Sequence, residues 1–517
     1  MSTDDNKLPY ESFPHAQTHP QHLHTVGRLF GMSPASFQSA RVLEIGCASG
    51  GNLIPLAMAY PEGEFLGLDI AEKQIEQAQS AVKELNLKNI LFQNRSVTQL
   101  KPEDGLFDYI ICHGVFSGVD RETQDSILEF CSKNLSPQGI AFVSFNTLPG
   151  WNLVRTLRDM MRYHAKDLEK PAEQFVQAKA VLQFVKENVD ANSLYGRLLQ
   201  EEVAALDARP ETHQFHEYLE PINEPLYFND FMAKASNSGL QYLADAFVPS
   251  MFAGNLPKKA AETLTAAKND IVRTEQYMDF LTNRRFRNTL LCHKDVVLNR
   301  ALTPSSINDF YVRSFLSPAA KSVNFDDLGE GVVFTSPAGL TLTLSNQEAV
   351  AILMVLWENQ QRPISFDQIK QMTVQKLEDK ANAELIASAA GDLIMRLYLA
   401  GAMQLYSDPG AYIASTSEKP EALTFARHQA RTLGWVTNGR HERMNLDLMH
   451  RIMLQYMDGQ NSQEEILDKM MGHLKSGELT LRQNDKEIPL DDSAMTIMKQ
   501  MIAEAMAAMA RSALLSA

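Results

Sequence analysis

Nowhere in the 517 residues do 18 apolar residues follow one another, so no transmembrane helix is expected. The first residues, Met1-Ser-Thr-Asp-Asp5, are polar and acidic with no apolar stretch behind them. No secretory signal is therefore expected, and the expected location is cytoplasmic. Cysteine is scarce. Cys47, Cys112, Cys131 and Cys292 form no C-x-x-C pair, and the first three sit among apolar residues, which points to buried free thiols rather than a disulfide or zinc site. A basic excess is also missing: 48 Lys and Arg face 63 Asp and Glu, a net charge of −15. That disfavours a nucleic-acid partner and is compatible with a basic protein partner or with simple solubility. The histidines of the N-terminal arm (His15, His19, His22, His24) have no cysteine or carboxylate partners in their spacing and are interrupted by Pro20. No metal is expected there.

What is present is organised around Arg41-Val-Leu-Glu-Ile-Gly-Cys-Ala-Ser-Gly-Gly-Asn52. It reads as an apolar strand, a glycine turn and a helix start, an arrangement suited to binding a nucleotide. The turn alone is weak, since dehydrogenases use one too. Here the pattern is Glu44-x-Gly46-x-Ala48-x-Gly50, with an acid on the strand before the turn. That carboxylate would repel a pyrophosphate but not a ligand carrying an ammonium and a sulfonium. S-adenosylmethionine fits. Asp69 ends the second apolar strand and can accept hydrogen bonds from ribose hydroxyls. Ile70 lies next to it. Ser96 and Val97, after the third strand, are expected beside the adenine. His113-Gly114 and Phe116, after the fourth, are expected at the methyl group and the substrate entrance.

Residues 1–38 read as an arm folding over the cofactor site, which would bring Tyr10, Gln17 and His19 to it. Between 40 and 146, strands and helices alternate as in an α/β, doubly wound Rossmann-like parallel sheet. Residues 151–210 break the alternation and read as a helical cap inserted within a domain spanning 39–250. His216–Leu219 and Leu240–Val248 then read as two final strands of the sheet. Residues 251–330 read as a helical region and linker, whose Arg284-Arg-Phe-Arg287 cluster is expected to pair with nearby acids on a helix face. At 331–410, a hairpin and three helices suggest a winged-helix-like unit. A second such unit is expected at 411–517, with a hairpin around Asn484-Asp485 and a Met-rich last helix that reads as packing.

Val42–Gly51 with Asp69, Phe107-Asp-Tyr-Ile-Ile111 and Gly139–Phe145 resemble class I S-adenosylmethionine-dependent methyltransferases. More narrowly, several stretches resemble bacterial methyltransferases with a methyltransferase regulatory domain. These are Tyr10-x-x-Phe13-Pro-x-x-Gln17-Thr-His-Pro20, Gly46–Asn52, Asn146-Thr-Leu-Pro-Gly-Trp151, and Glu275-Gln-Tyr-x-Asp-Phe280 with Arg284-Arg-Phe-Arg-x-Thr-Leu-Leu291. Members of that family include enzymes that methylate lysines of outer-membrane proteins in rickettsiae. The resemblance implies cofactor roles for Glu44, Gly46, Ser49, Gly50, Asn52 and Asp69. It departs from the general pattern at Ala48, which replaces a glycine, and at Arg95-Ser-Val-Thr98, where the usual acid after strand three is absent.

Methyl transfer asks the protein to align nucleophile, methyl and sulfur and to exclude water. A lysine acceptor must also lose a proton. His113, Asn146, Glu217 and Tyr218 are the catalytic candidates. Phe116 and Trp151, with Tyr10, could form an aromatic wall for a cationic amine, with His216 at the acceptor. A protein acceptor, possibly lysine, is the first reading. A small-molecule acceptor is the second. A regulator whose winged-helix-like units bind DNA or protein is the third, and Arg396, alone among basic residues in Ala383–Ala400, argues against groove reading. The C-terminal units are candidates for a homodimer contact.

Overall fold

The computed structural model describes residues 11–266, 270–483, 486–487 and 492–516. The chain divides into two compact units, one of residues up to 13 and 26–301, the other of residues 14–25 and 302–517. Helix α1 (Pro20–Leu29) spans the boundary between them.

The N-terminal unit is built on a sheet. Its elements run β1 (Arg41–Ile45), α2 (Leu53–Ala59), β2 (Glu64–Asp69), α3 (Glu72–Glu84), β3 (Ile90–Asn94), β4 (Phe107–Cys112), α4 (Arg121–Asn134) and β5 (Leu135–Asn146). Four helices follow: α5 (Trp151–Ala165), α6 (Pro171–Asn188), α7 (Leu194–Asp207) and α8 (Glu211–Tyr218). Then come α9 (Phe228–Asn237), β6 (Leu240–Asp245), α10 (Lys258–Ala266), α11 (Ile271–Thr282) and β7 (Phe286–His293). The seven strands lie in the order β3-β2-β1-β4-β5-β7-β6, and β7 runs antiparallel to both neighbours. The strand order reverses between β1 and β4, which opens a crevice at the carboxyl ends of those strands. The glycine turn leaves β1 at that point. Val42, Leu43, Ile110, Ile111, Ala141 and Val143 are fully buried, as a sheet covered on both faces requires.

Two expectations need correction. His216–Leu219 is not a strand: the segment ends α8, whose Tyr218 packs into the core of the preceding helices. The second late strand is instead β7, inside the stretch read as helical. Its basic run concealed the alternation, because Arg287 points inward. The pairing of these arginines with acids holds, but in the interior. Arg287 is 0% exposed, makes a bidentate pair with Asp279 (2.9 and 2.7 Å), lies 3.0 Å from Glu275, and stacks 3.9 Å over the Phe228 ring. Arg284 adds contacts to Asp279 at 3.1 Å and Asp245 at 3.6 Å. Ser136–Gly139 lies within β5, at a register shift against β4.

The helices α5–α8 extend past 210 to Tyr218 and share their own core of Trp151, Val154, Leu157, Met161, Leu182, Leu199 and Leu206. Pro171 starts α6, where its missing N–H costs nothing, and the Ser193 hydroxyl caps α7. Glu202 of α7 pairs with Arg285, and Arg158 of α5 donates to the Glu217 and Glu220 carbonyls. The helical insertion is thereby tied to β7 and to the segment leading back to the sheet.

The C-terminal unit carries β8 (Tyr311–Ser314), β9 (Ser317–Pro318), the hairpin β10 (Val332–Thr335) and β11 (Thr341–Leu344), α12 (Gln347–Glu358), β12 (Ile364–Ser365), α13 (Phe366–Leu377), α14 (Ala383–Leu399) and β13 (Met403–Tyr406). Here hairpin and helices fall where the sequence placed them. After these come α15 (Thr424–Ala430), β14 (Trp435–Thr437), β15 (Arg443–Asn445), α16 (Leu448–Tyr456), α17 (Gln463–Lys475), β16 (Arg482–Gln483), β17 (Lys486–Glu487) and α18 (Asp492–Arg511). Arg443–Asn445 is a strand paired with β14. β16 and β17 pair antiparallel, while Asn484 and Asp485 lie outside the described residues. Met498, Met506 and Met509 are buried in one core with Met453 and Met470, so the methionine stripe is packing. Residues 14–25 belong to this unit: Gln21 Nε2 donates to the Asp408 carbonyl, Thr25 meets Ser407, and His19 lies edge-on to His441. No described helix is long and apolar enough to cross a membrane.

Candidate active site

The site begins at the end of β1. Gly46 and Gly50 adopt φ of +77° and +79°, and Ala48 between them adopts +48°. An L-residue in that region is strained by about 1 kcal/mol or more. Its N–H is pinned by Asp69 Oδ2 at 2.8 Å, while Asp69 Oδ1 accepts from Ala71 N–H at 2.9 Å. One carboxylate at the tip of β2 thus holds both its own loop and the glycine turn. Burial raises the Asp69 carboxyl, and the hydrogen bonds from Ala71, Ala48 and Ile70 oppose that rise. Gly51 has no room for a side chain, because an added Cβ would meet the Ser12 carbonyl at 2.2 Å. The Ser12 hydroxyl accepts from Gly51 N–H at 2.8 Å. The arm therefore reaches the turn through Ser12, a residue that no motif marks.

Glu44 is 4% exposed. Asn52, at the start of α2, does not cap that helix; its Nδ2 donates instead to Glu44 Oε1 at 2.8 Å. Glu44 Oε2 is buried with no hydrogen-bond partner among the described residues. Burial pushes this carboxyl up to about 8, the Asn52 hydrogen bond pulls it back, and the Asp69 charge adds to the rise. A buried acceptor without a donor is costly unless a ligand supplies one. Glu44, Gly46, Ser49, Gly50, Asn52 and Asp69 are brought together. Cys47 beside them is buried, and burial holds its thiol well above the ordinary value, so it is no nucleophile. All four cysteines are buried and free. On the neighbouring loops Ile70 is 38% exposed, Ser96 caps the short turn Val97–Gln99, and Val97 is buried in the sheet core.

A second group gathers where β4 and β5 end. His113 Nδ1 meets Ser144 Oγ at 2.8 Å, and the same hydroxyl accepts from Gly114 N–H at 2.8 Å. Gly114 adopts φ +71°, and a Cβ there would meet nothing within 4 Å. Asn146 N–H donates to Ser117 Oγ at 2.9 Å, and its Nδ2 donates to Asn223 Oδ1 at 3.2 Å. Ser144, Ser117 and Asn223 were missed by the sequence reading. Ser144 carried a signal, as a polar residue two before Asn146 on an apolar strand. Asn223 carried none.

Several other candidates are engaged in core packing or in pairs of their own. Phe116 is 0% exposed and packs on Phe231 and Phe145 in the sheet core. Trp151 and Tyr218, 3% and 2% exposed, belong to the core of the helical insertion. None of the three walls an open site, because each ring is consumed by core packing. Glu217 is paired with Arg209, and His216 Nδ1 lies 3.3 Å from Glu220. Gln17 and His19 lie in the C-terminal unit, where burial lowers His19 to about 3. Tyr10 lies outside the described residues. Among the described residues no cluster of His, Cys, Asp or Glu could hold a metal ion.

Three family models match the chain: a methyltransferase domain over 36–202, a predicted methyltransferase regulatory domain over 212–293, and a PKMT C-terminal winged helix domain over 418–514. An uncharacterized protein of Rickettsia prowazekii (strain Madrid E) is 38% identical over 493 residues, covering 93% of this chain and 88% of that one. A second uncharacterized protein of the same organism is 38% identical over 46% of this chain and 96% of its own length. Among solved structures, PKMT2 from Rickettsia typhi in complex with AdoHcy superposes with a TM-score of 0.91 at 33% identity, covering 98% of this chain and 100% of that one. The glycine turn, the acids that hold it and the likeness along nearly the whole length agree, and the chain belongs to the S-adenosylmethionine-dependent methyltransferases that carry a methyltransferase regulatory domain and a PKMT-type C-terminal winged helix.

Proposed function

We propose that this chain transfers the methyl group of S-adenosylmethionine to lysine side chains of a protein. The observation that carries the cofactor half is the buried, partnerless Glu44 Oε2 beneath a turn held open by Asp69. A carboxylate there suits an ammonium and does not suit a phosphate. The protein acceptor rests on the likeness to PKMT2 over 98% of the chain.

Bound S-adenosylmethionine supplies a methyl group already activated by its sulfonium. The residues of the chain bind, orient and exclude water. Asp69 would hold the ribose hydroxyls and Glu44 the ammonium. Asn146, fixed through its Nδ2 by Asn223, can accept from an incoming amine N–H through Oδ1. That contact aims the nitrogen lone pair, and its value lies in alignment rather than in covalent chemistry. A lysine ammonium would first give one proton to solvent or to a nearby base such as His113, and the neutral nitrogen would then take the methyl group as the S–C bond breaks and S-adenosylhomocysteine leaves.

Glu44 makes the cofactor step proton-linked. With its carboxyl at about 8 in the folded chain and 4.5 ordinarily, Glu44 is protonated at pH 7. Between those values the folded chain binds more protons than the unfolded one, so this group's contribution to stability falls as pH rises through the window. An arriving ammonium favours the ionised form, so binding at pH 7 should release up to about one proton and tighten as pH rises toward 8. Calorimetry in two buffers of different ionisation enthalpy reads this directly. Different heats are expected for the wild type and equal heats for Glu44→Gln. Equal heats in the wild type would contradict the assignment of Glu44 to the ammonium.

A further inference from the structure

Phe286 is a partly exposed ring beside the His113–Asn146 group described above. It stands on β7 directly across from Asn146 of β5, so the two side chains leave the same face of the sheet. Its ring lies 6.1 Å from the His113 ring at 65°. It is 40% exposed, whereas Arg287, next along the strand, is fully buried. A lone exposed phenylalanine is ordinary on a protein surface. This one differs in its neighbours. Gly114, beside His113, leaves open space where a side chain would stand. The segment bearing Asn223 runs along Asn146 and Ser117, with Glu224 N–H donating to the Ser117 carbonyl at 2.8 Å. Glu224 is half exposed, and its closest cation, Arg121, is 3.9 Å away.

An aromatic face across from a polar amide, with a half-exposed carboxylate on the residue after that amide's partner Asn223, forms a receptor for a cation on a thin apolar stem. We propose that the open face of Phe286 is the platform on which the acceptor's lysine side chain lies, with Asn146 at its amine and Glu224 drawing in its positive charge. The ring face attracts the ammonium through its quadrupole and covers the methylene stem. The net charge of −15 suits a basic acceptor segment. Phe286 is thus a specificity-determining residue that acts on acceptor binding rather than on the cofactor. The inference rests on the methyl-transfer reading above and adds where the acceptor sits.

The test uses the full chain with S-adenosylmethionine labelled in its methyl group and a random lysine–alanine copolymer as acceptor. Cofactor affinity is measured separately by calorimetry, and folding by circular dichroism. Phe286→Leu keeps an apolar side chain but removes the ring face, and Phe286→Tyr keeps the face. Phe286→Leu should raise KM for the copolymer about tenfold or more. Phe286→Tyr should stay within about twofold, and cofactor affinity should be the same in all three. Glu224→Gln should raise KM further at low salt than at high salt. A wild type that binds the cofactor without labelling the copolymer, or a Phe286→Leu variant with unchanged KM, overturns the proposal. A wild type that fails to bind the cofactor overturns the reading beneath it instead.

Discussion

Replacing Asp69 by alanine is expected to weaken S-adenosylmethionine binding by at least about a hundredfold. The side chain accepts from Ala48 and Ala71 N–H groups, both buried, and is the residue proposed above to hold the ribose hydroxyls. Each hydrogen bond to a charged group is worth about 1.5–3 kcal/mol, and losing the acceptor also orphans two backbone donors. A combined loss of about 3 kcal/mol already exceeds a hundredfold. Alanine also frees Ala48 from the left-handed conformation that Asp69 enforces, so the turn loses its shape as well as its acceptor. Asp69→Asn keeps one acceptor oxygen and should lie between, near about tenfold. Calorimetric titration of the three proteins separates these cases, and unchanged affinity in Asp69→Ala would remove the ribose assignment.

The largest effect on stability is expected at Arg287. Substitution by methionine preserves much of the volume but leaves Glu275, Asp279 and Asp245 facing one another in the interior, with Arg284 as their remaining cation. Removing one partner of a buried ionic group costs about 3–5 kcal/mol. The sign of its pH dependence also follows. Burial already raises all three carboxyls, and Arg287 opposes that rise in each. Without it they rise further, the folded form binds more protons, and the penalty should shrink as pH falls. Urea unfolding at pH 8 and pH 5 checks this: a larger loss at pH 8 is expected. A loss under about 1 kcal/mol at both would show that the network is not structural.

How much of this was legible in the sequence differs by element. The stretch from β1 to β4 was readable because apolar runs, a glycine turn and strand-end acids coincide, each for a separate physical reason. Helices α12 to α14 were readable from periodicity and capping residues such as Asn346 and Ser365. β7 was not, because buried ion pairing put Arg287 where a strand ordinarily shows an apolar residue, and no local pattern announces a partner more than thirty residues away such as Asp245. Glu44 and Asp69 stand out in the sequence by charge and by their places on the strands, and both are buried beside the glycine turn. The role of Asp69 in shaping the turn needed coordinates, since it runs through backbone N–H groups that any residue carries. Phe116, Trp151 and Tyr218 show the reverse: aromatic residues near a site are more often its floor than its wall, because large rings are the cheapest way to fill a core. Phe286 was hidden in the basic run around it.

Methyl-labelled S-adenosylmethionine incubated with the chain and a bacterial lysate, followed by gel separation and amino-acid analysis, tests the proposed function most directly. The account predicts label in discrete protein bands, recovered on hydrolysis as methylated lysine and lost with Asp69→Ala. Label confined to the small-molecule fraction would contradict it.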